Sequence, residues 1–316
     1  SGCATNPVTG KHELRLISDN SEISTGRKQY KPGKQMEGGE YICDTKLSLY
    51  VSKIGQNLAK VSDRHLPYEF TILNNSTPNA WALPGGKIAI NRGLLLELNN
   101  EAELAAVLSH EIVHAAARHG AKNMERGMVL QTALLATAYA AKDYDYANLA
   151  VGGAQVALGL ITQKYSRNAE LEADQYGMVY MSKAGYNPQS AIHLQETFLR
   201  LSKNRNTNWL TGLFASHPPS QERVETNKIT ALKLSKSGKT GHNIYQQKTS
   251  HLQKTAPAYD NYEQAVLLLK KNKHGQSLKL LDKAIAIEPK EALFHGAKGD
   301  IFFNRKQFDY ALNAYD

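Results

Sequence analysis

The sequence predicts a mostly helical α+β protein with a small β-sheet, followed by a short α-helical repeat module. Three observations carry that prediction. Apolar residues recur at helical spacing through most of residues 41 to 235. Two-residue alternation is confined to Tyr68 to Leu73 and to a pair of segments flanking Pro84-Gly85-Gly86. Beyond Tyr259, equivalent residue types return after 34 positions, as in Ala265 and Gly299, Leu268 and Phe302, Ser277 and Ala311, Leu281 and Tyr315.

Taken in order, residues 1 to 40 are polar and carry Pro7, Gly26, Pro32, Gly33, Gly38 and Gly39, so they read as a tether with a short helix near Glu22 to Tyr30. Leu47, Val51, Ile54 and Leu58 mark a helix between Asp44 and Val61. Tyr68 to Leu73 is a strand, and Asn79 to Leu83 with Lys87 to Ile90 is a hairpin. The next helix has Asn100 as its cap, Glu103 completing a capping box, Leu104, Val107, Leu108 and Ile112 as its apolar stripe, and Gly120 as its stop. Met128 to Ala141 is shorter than the roughly 20 apolar residues that span a bilayer, and Tyr146 to Gln163 is interrupted by Asn148 and Gln155, so both read as core helices. Asn187-Pro188 opens another helix, striped by Leu194, Phe198 and Leu201. Residues 204 to 212 read as loop, and His217 is stiffened by Pro218 and Pro219. The expected organisation is a tether (1–40), a main domain (41–235), a basic linker (236–258) and a repeat module (259–316).

The 316 residues are 41% hydrophobic and 21% charged, enough for one sizeable core and a smaller unit. Of the net charge of +9, six lysines without an acid lie between Lys228 and Lys254. No groove-reading motif or aromatic interleaving accompanies them, which excludes a nucleic-acid partner and leaves a solvated linker, or attraction to an anionic membrane surface. Two cysteines exclude a disulfide framework. Ser1-Gly2-Cys3-Ala4 looks like the end of a bacterial lipobox, with Cys3 as the lipid-bearing residue and Cys43 a lone structural thiol. Ala4 in place of Asp, by resemblance to sorted lipoproteins, implies a membrane anchor on the periplasmic face of a Gram-negative outer membrane.

The chemistry is concentrated in His110-Glu111-Ile112-Val113-His114. On a helix both imidazoles point from one face toward one ion, with Glu111 beside them, which is the arrangement of a zinc hydrolase binding one zinc per chain. A catalytic zinc takes a third protein ligand and keeps one position open. In Ser166 to Asp174, Glu170, Asp174 and Gly177 share a helical face, so Glu170 is the expected third ligand and Asp174 the acceptor for a ligand's second ring N–H. Glu172, about 200° around the helix from Glu170, is expected in solvent. Gly177 allows the two helices to approach closely.

These segments resemble the gluzincin metallopeptidases that include HtpX, the CAAX prenyl proteases and periplasmic BepA. The matching pieces are Asn79 to Gly86, the His110 to His114 motif, Ser166 to Asp174, and His217-Pro218-Pro219-Ser220 with Arg223. The resemblance covers about residues 40 to 235 and implies a zincin-like fold. It also implies zinc-dependent endopeptidase activity, with His110, His114 and Glu170 as ligands and Glu111 as catalytic base. His217 has three open roles: oxyanion donor, fourth metal ligand holding the enzyme latent, or structural histidine. Arg223 is expected to pair with an acid of the ligand helix. Trp81, Ala82 and Leu83 are expected to lie along a substrate that adds as a β-strand, unless they serve only the core. Residues 259 to 316 resemble tetratricopeptide repeats, implying a protein partner there. The expected role is cleavage of unfolded or misassembled envelope proteins in quality control; the rival is a latent peptidase acting mainly as an assembly factor.

Overall fold

The computed structural model describes residues 2–141, 159–203 and 211–315. The chain divides into two units, Ser1–Tyr41 with Lys46–Gln247, and Ile42–Thr45 with Lys248–Asp316.

In the larger unit, β1 (Gly2–Thr5) and β2 (His12–Arg15) form an antiparallel hairpin, followed by α1 (Asp19–Met36). The expected tether is therefore ordered. Gly26 and Gly33 serve close packing here, not chain flexibility. A Cβ on Gly26 would lie 1.8 Å from Pro84 O in the turn of the second hairpin, so only glycine lets α1 approach it. Helix α1 also tolerates Pro32 inside its length and extends well beyond the expected Glu22 to Tyr30.

Helix α2 (Thr45–Ala59) buries Leu47, Val51, Ile54 and Leu58, the predicted stripe. The central sheet has the order β3-β5-β4, with β3 (Glu69–Leu73) parallel to β5 (Lys87–Asn91) and β4 (Ala80–Leu83) antiparallel to it. Short α3 (Arg92–Glu97) leads into α4 (Glu101–Ala116), every residue of which is buried. At its start Asn100 Oδ1 accepts from Glu103 N–H at 2.9 Å, while the Glu103 carboxylate accepts from Asn99 N–H at 2.8 Å. The capping box thus closes one residue earlier than the simple motif.

Helix α4 stops before Gly120. Arg118 takes the left-handed conformation (φ 62°) and Gly120 belongs to the next helix, α5 (His119–Ala141). The apolar run Met128 to Ala141 lies in α5, where Met128, Val129 and Leu130 are exposed and not core; most of Tyr146 to Gln163 lies outside the described residues. Among the described residues, no helix is long and apolar enough to cross a membrane. Helices α6 (Arg167–Lys183), α7 (Gln189–Lys203), α8 (Thr211–Ser216) and α9 (Gln221–Leu232) complete the surroundings of α4. Most of the expected 204–212 loop is likewise outside the described residues.

The expected linker is helical from His242, within α10 (His242–Lys270). Helices α11 (His274–Ile287), α12 (Ala292–Asn304) and α13 (Phe308–Tyr315) follow. Ala265, Leu281 and Ile301 form the core of the smaller unit. The repeat positions have packing reasons: Ser277 Oγ donates to Ala265 O at 2.9 Å, and a Cβ on Gly299 would meet the Tyr315 ring at 2.3 Å.

Candidate metal centre

Two helices and one turn supply the site. Helix α4 carries His110, Glu111 and His114, and α6 carries Glu170 and Asp174. His217 follows α8, its N–H donating to Leu213 O at 2.8 Å. The two helices meet at Gly177, where an added Cβ would sit 3.2 Å from His110 N and 3.3 Å from Ser109 Oγ. Without a side chain there, Glu170 can face the histidines.

The Nε2 atoms of His110 and His114 are 2.9 Å apart. Glu170 faces both, with Oε1 3.3 Å from His114 Nε2 and Oε2 3.4 Å from His110 Nε2. His217 Nδ1 joins them at 3.3 Å from His110 Nε2 and 3.1 Å from Glu170 Oε1. One donor atom from each of the four residues lies within 4.8 Å of all the others. Donors about 2.05 Å from a tetrahedral zinc are about 3.3 Å from one another, so the spacings observed here fit that ion. The donor set, imidazole nitrogens with one carboxylate oxygen, suits zinc as well. Glu111 stands beside the cluster, its Oε1 3.5 Å from His217 Nε2 and its Oε2 buried without a hydrogen-bond partner.

The site is buried and strongly charged. Burial lowers the pKa of His110, but the carboxylates of Glu170 and Asp174 outweigh it and push it up to about 10. Burial holds His114 well below its ordinary value, and the adjacent His110 adds to that. Burial also raises Glu111. Glu170 would be raised by burial too, yet His217, Arg223 and His110 hold it well below the usual carboxylate range. An ionised carboxylate among close ring nitrogens is the environment a dication satisfies.

Arg223 binds the site together. Its guanidinium forks onto Asp174, with Nε to Oδ2 and Nη2 to Oδ1 both 2.7 Å, while Nη1 lies 2.9 Å from Glu170 Oε2 and donates to Pro218 O at 3.2 Å. Asp174 Oδ1 is in turn 2.9 Å from His110 Nδ1. Planar, doubly bonded guanidinium contacts fix orientation more strictly than a point charge.

Sequence reasoning missed His119 and Tyr165. His119 Nδ1 is 2.9 Å from His114 Nδ1, and the Tyr165 ring stacks on His114 at 3.8 Å and 20°. Helical periodicity does not bring His119 to His114, because the break at Arg118 lies between them; a histidine so soon after the motif was the available signal. The expectation that Glu172 is solvated is corrected: its side chain is 19% exposed, with Lys11 Nζ at 2.7 Å and His119 Nε2 at 3.3 Å. The hairpin and Lys11 lie on the side of α6 that helical geometry alone assigns to water.

Trp81, Ala82 and Leu83 are buried on β4, an edge strand packed along α4. Trp81 packs edge-on against Tyr30, with ring centroids 6.1 Å apart, and shares a cluster with Leu160 and Ile161. Its side chain serves the core and is not part of the metal cluster. An apolar pocket of about 40 Å³, walled by Val107, Met178, Leu194, Phe198 and Leu213, reaches the cluster.

The fold and site define a zinc-dependent metallopeptidase. The sequence profile of peptidase family M48 matches residues 46–230. The chain is 28% identical over 242 residues to metalloprotease YcaL of Escherichia coli, covering 69% of this chain and 90% of that protein. It is 30% identical over 197 residues to a putative beta-barrel assembly-enhancing protease of Vibrio cholerae, covering 60% and 40%. It is 33% identical over 225 residues to the mitochondrial metalloendopeptidase OMA1 of Schizosaccharomyces pombe, covering 69% and 63%. The chain belongs to peptidase family M48. It thus spans most of one of these relatives but less than two thirds of the other two.

Proposed function

We propose that this chain is a zinc endopeptidase of the bacterial envelope, with His110, His114 and Glu170 as ligands, and that His217 closes its resting site as a fourth. The observation that carries this reading is the cluster of four donor atoms, all within 4.8 Å of one another, with Glu111 beside them. Zinc, when bound, supplies the Lewis acidity that activates a water and polarises the scissile carbonyl. Glu111 takes the proton of that water and delivers it to the leaving amine. Burial raises its affinity for the proton it must carry between the two steps. Asp174, held by Arg223, fixes the ring of His110.

With His217 in the fourth position, no protein-free vertex remains for the water, so turnover requires this ring to leave. Of the three open roles, the latent ligand is the one this proposal takes. Substrate is proposed to add along β4, because this edge strand runs beside the zinc-binding helix, and to place an apolar side chain in the pocket walled by Met178 and Phe198.

His217→Ala tests the arrangement. As a latent ligand its loss raises proteolytic activity while one zinc per chain is retained; as an oxyanion donor its loss lowers kcat by on the order of 10² or more. The second outcome would reverse the assignment.

Relatives in Vibrio cholerae and Escherichia coli are named beta-barrel assembly-enhancing proteases, which supports the proposal of unfolded or misassembled envelope proteins as substrates and of a periplasmic location. Cys3 is exposed on β1, as a lipid-bearing residue must be. The 34-residue correspondence, with Ala265 and Gly299 both at close packing points, supports a tetratricopeptide-like module that binds a protein partner. Mass spectrometry of the protein matured in cells tests the anchor; an unmodified Cys3 would remove it.

A further inference from the structure

The two histidines of the motif are held at their second nitrogens by different means. His110 Nδ1 meets the carboxylate of Asp174 directly, whereas His114 Nδ1 meets another imidazole, that of His119. We propose that His119, backed by Glu172, is a positioning residue for His114, fixing the tautomer and ring plane in which Nε2 is free to bind zinc. This rests on the metal reading above, and it assigns work to two residues outside the ligand set.

Hydrogen-bond direction carries the argument. If His114 Nε2 ligates, it bears no proton, so its proton is on Nδ1 and that N–H must donate. The group it faces is His119 Nδ1 at 2.9 Å, which must therefore accept. The proton of neutral His119 is then on Nε2, and it donates to Glu172 Oε2 at 3.3 Å. Glu172 closes the chain by accepting from Lys11 Nζ at 2.7 Å through its other oxygen. Every link has one donor and one acceptor in this arrangement. In the opposite one, His114 Nε2 would carry a proton aimed at the cluster, and His119 would present a bare Nε2 lone pair to a carboxylate. Tyr165, stacked at 3.8 Å on His114, prevents the ring from turning out of the line. His119 is nearly fully buried, at 3% exposed, so water does not replace it readily.

The experiment uses the full chain and measures zinc affinity by chelator competition for wild type, His119→Asn, His119→Leu and Glu172→Gln, with thermal midpoints taken with and without metal. Asparagine keeps an acceptor where Nδ1 stood; leucine fills the space and offers none. The expected result is a loss of affinity of about 10 to 100-fold for His119→Leu, the usual effect of removing such a partner. Most of that loss should be recovered in His119→Asn. Glu172→Gln, at a partly exposed position that leaves folding intact, should fall between wild type and His119→Leu.

His119→Leu binding zinc as tightly as wild type would overturn the proposal. So would equal losses in the asparagine and leucine variants, or an equal drop in metal-free and metal-loaded midpoints, since each of these marks a packing role only. A wild-type chain that binds no zinc would instead sink the metal assignment on which the proposal stands.

Discussion

Two clusters of buried charge are seated on the C-terminal half of α4 and the turn that follows it, and they are completed differently. At the metal centre, His110, His114, Glu170 and His217 turn their donor atoms toward one point, leaving Glu111 Oε2 without a partner. Beyond the helix C-terminus, Glu22, nearly inaccessible to solvent, meets Arg118 and Arg64, whose Nη1 is 2.8 Å from Oε2. Arg118 also reaches Glu13 Oε1 at 3.1 Å and Glu125 Oε1 at 3.0 Å. Opposite charges there neutralise one another directly. The first cluster needs something from outside the chain, and the second does not. Convergence of donors around a point marks chemistry; mutual pairing marks architecture.

The sharpest test of that distinction is Glu111→Gln, which should reduce proteolysis by about 10²–10⁴-fold while leaving zinc content at one per chain. Lost zinc in this variant would mean Glu111 belongs to the ligand set and not beside it. Glu170→Ala should do the reverse, removing zinc first and activity as a consequence. Metal analysis separates the two.

The two clusters also differ in how well the sequence exposed them. The motif, the capping residues Asn100 and Glu103, the facing carboxylate Glu170, and Gly177 at the crossing all follow from one period, 3.6, applied to two segments. The paired cluster obeys no period. Arg118 comes four residues after His114 but reaches Glu13, Glu22 and Glu125 because it leaves the helix with positive φ, and nothing local announces that turn in an arginine. Likewise Gly26 reads as a breaker until Pro84 is seen packed on it. Long-range complementarity is invisible to periodicity for the same reason that periodicity assigns Glu172 to solvent: its partners are Lys11 and His119, far from it in sequence. The helical-repeat spacing was legible because it is periodic again.

If the paired cluster is architectural, breaking it should cost stability and spare chemistry. Arg118→Met keeps the bulk of the side chain but takes from Glu125 its ion-pair partner and leaves Glu22 to Arg64 and Arg15, so the cost should approach the roughly 3–5 kcal/mol of a broken buried pair. Denaturant unfolding should show this loss in metal-free protein as well. In the fraction that remains folded, kcat should change little. A stability loss seen only in the presence of zinc would tie the cluster to the metal and dissolve the contrast.

The smallest effect concerns the hairpin that the paired cluster holds down. Burial pushes the pKa of Glu13 up, but Lys122, Asn6 and Arg118 together outweigh it and leave it below its ordinary value of 4.5. Lys122 Nζ is 2.7 Å from Oε2, and Asn6 Nδ2 donates to the same oxygen at 2.9 Å. A folded pKa below the unfolded one means that the ionised form stabilises the native state; the contribution is present in full above pH 4.5 and is lost as pH falls through the folded value. Asp19 is lowered in the same sense, with burial outweighed by Arg64 and Arg15, but it is more than half exposed and screened, so it adds little. Hydrogen-exchange protection of Gly2 to Arg15 should therefore weaken below pH 4.5 while β3 and β5 hold theirs. Asn6 also donates to Ala117 O at 2.9 Å, and that bond is indifferent to acid, so the hairpin should loosen and not detach. Glu13→Gln should flatten the pH dependence, because an amide has no charge to lose. Protection of residues 2–15 that is unchanged on acidification, or equally pH-dependent in Glu13→Gln, would show that the hairpin is held by its backbone and Asn6 contacts alone.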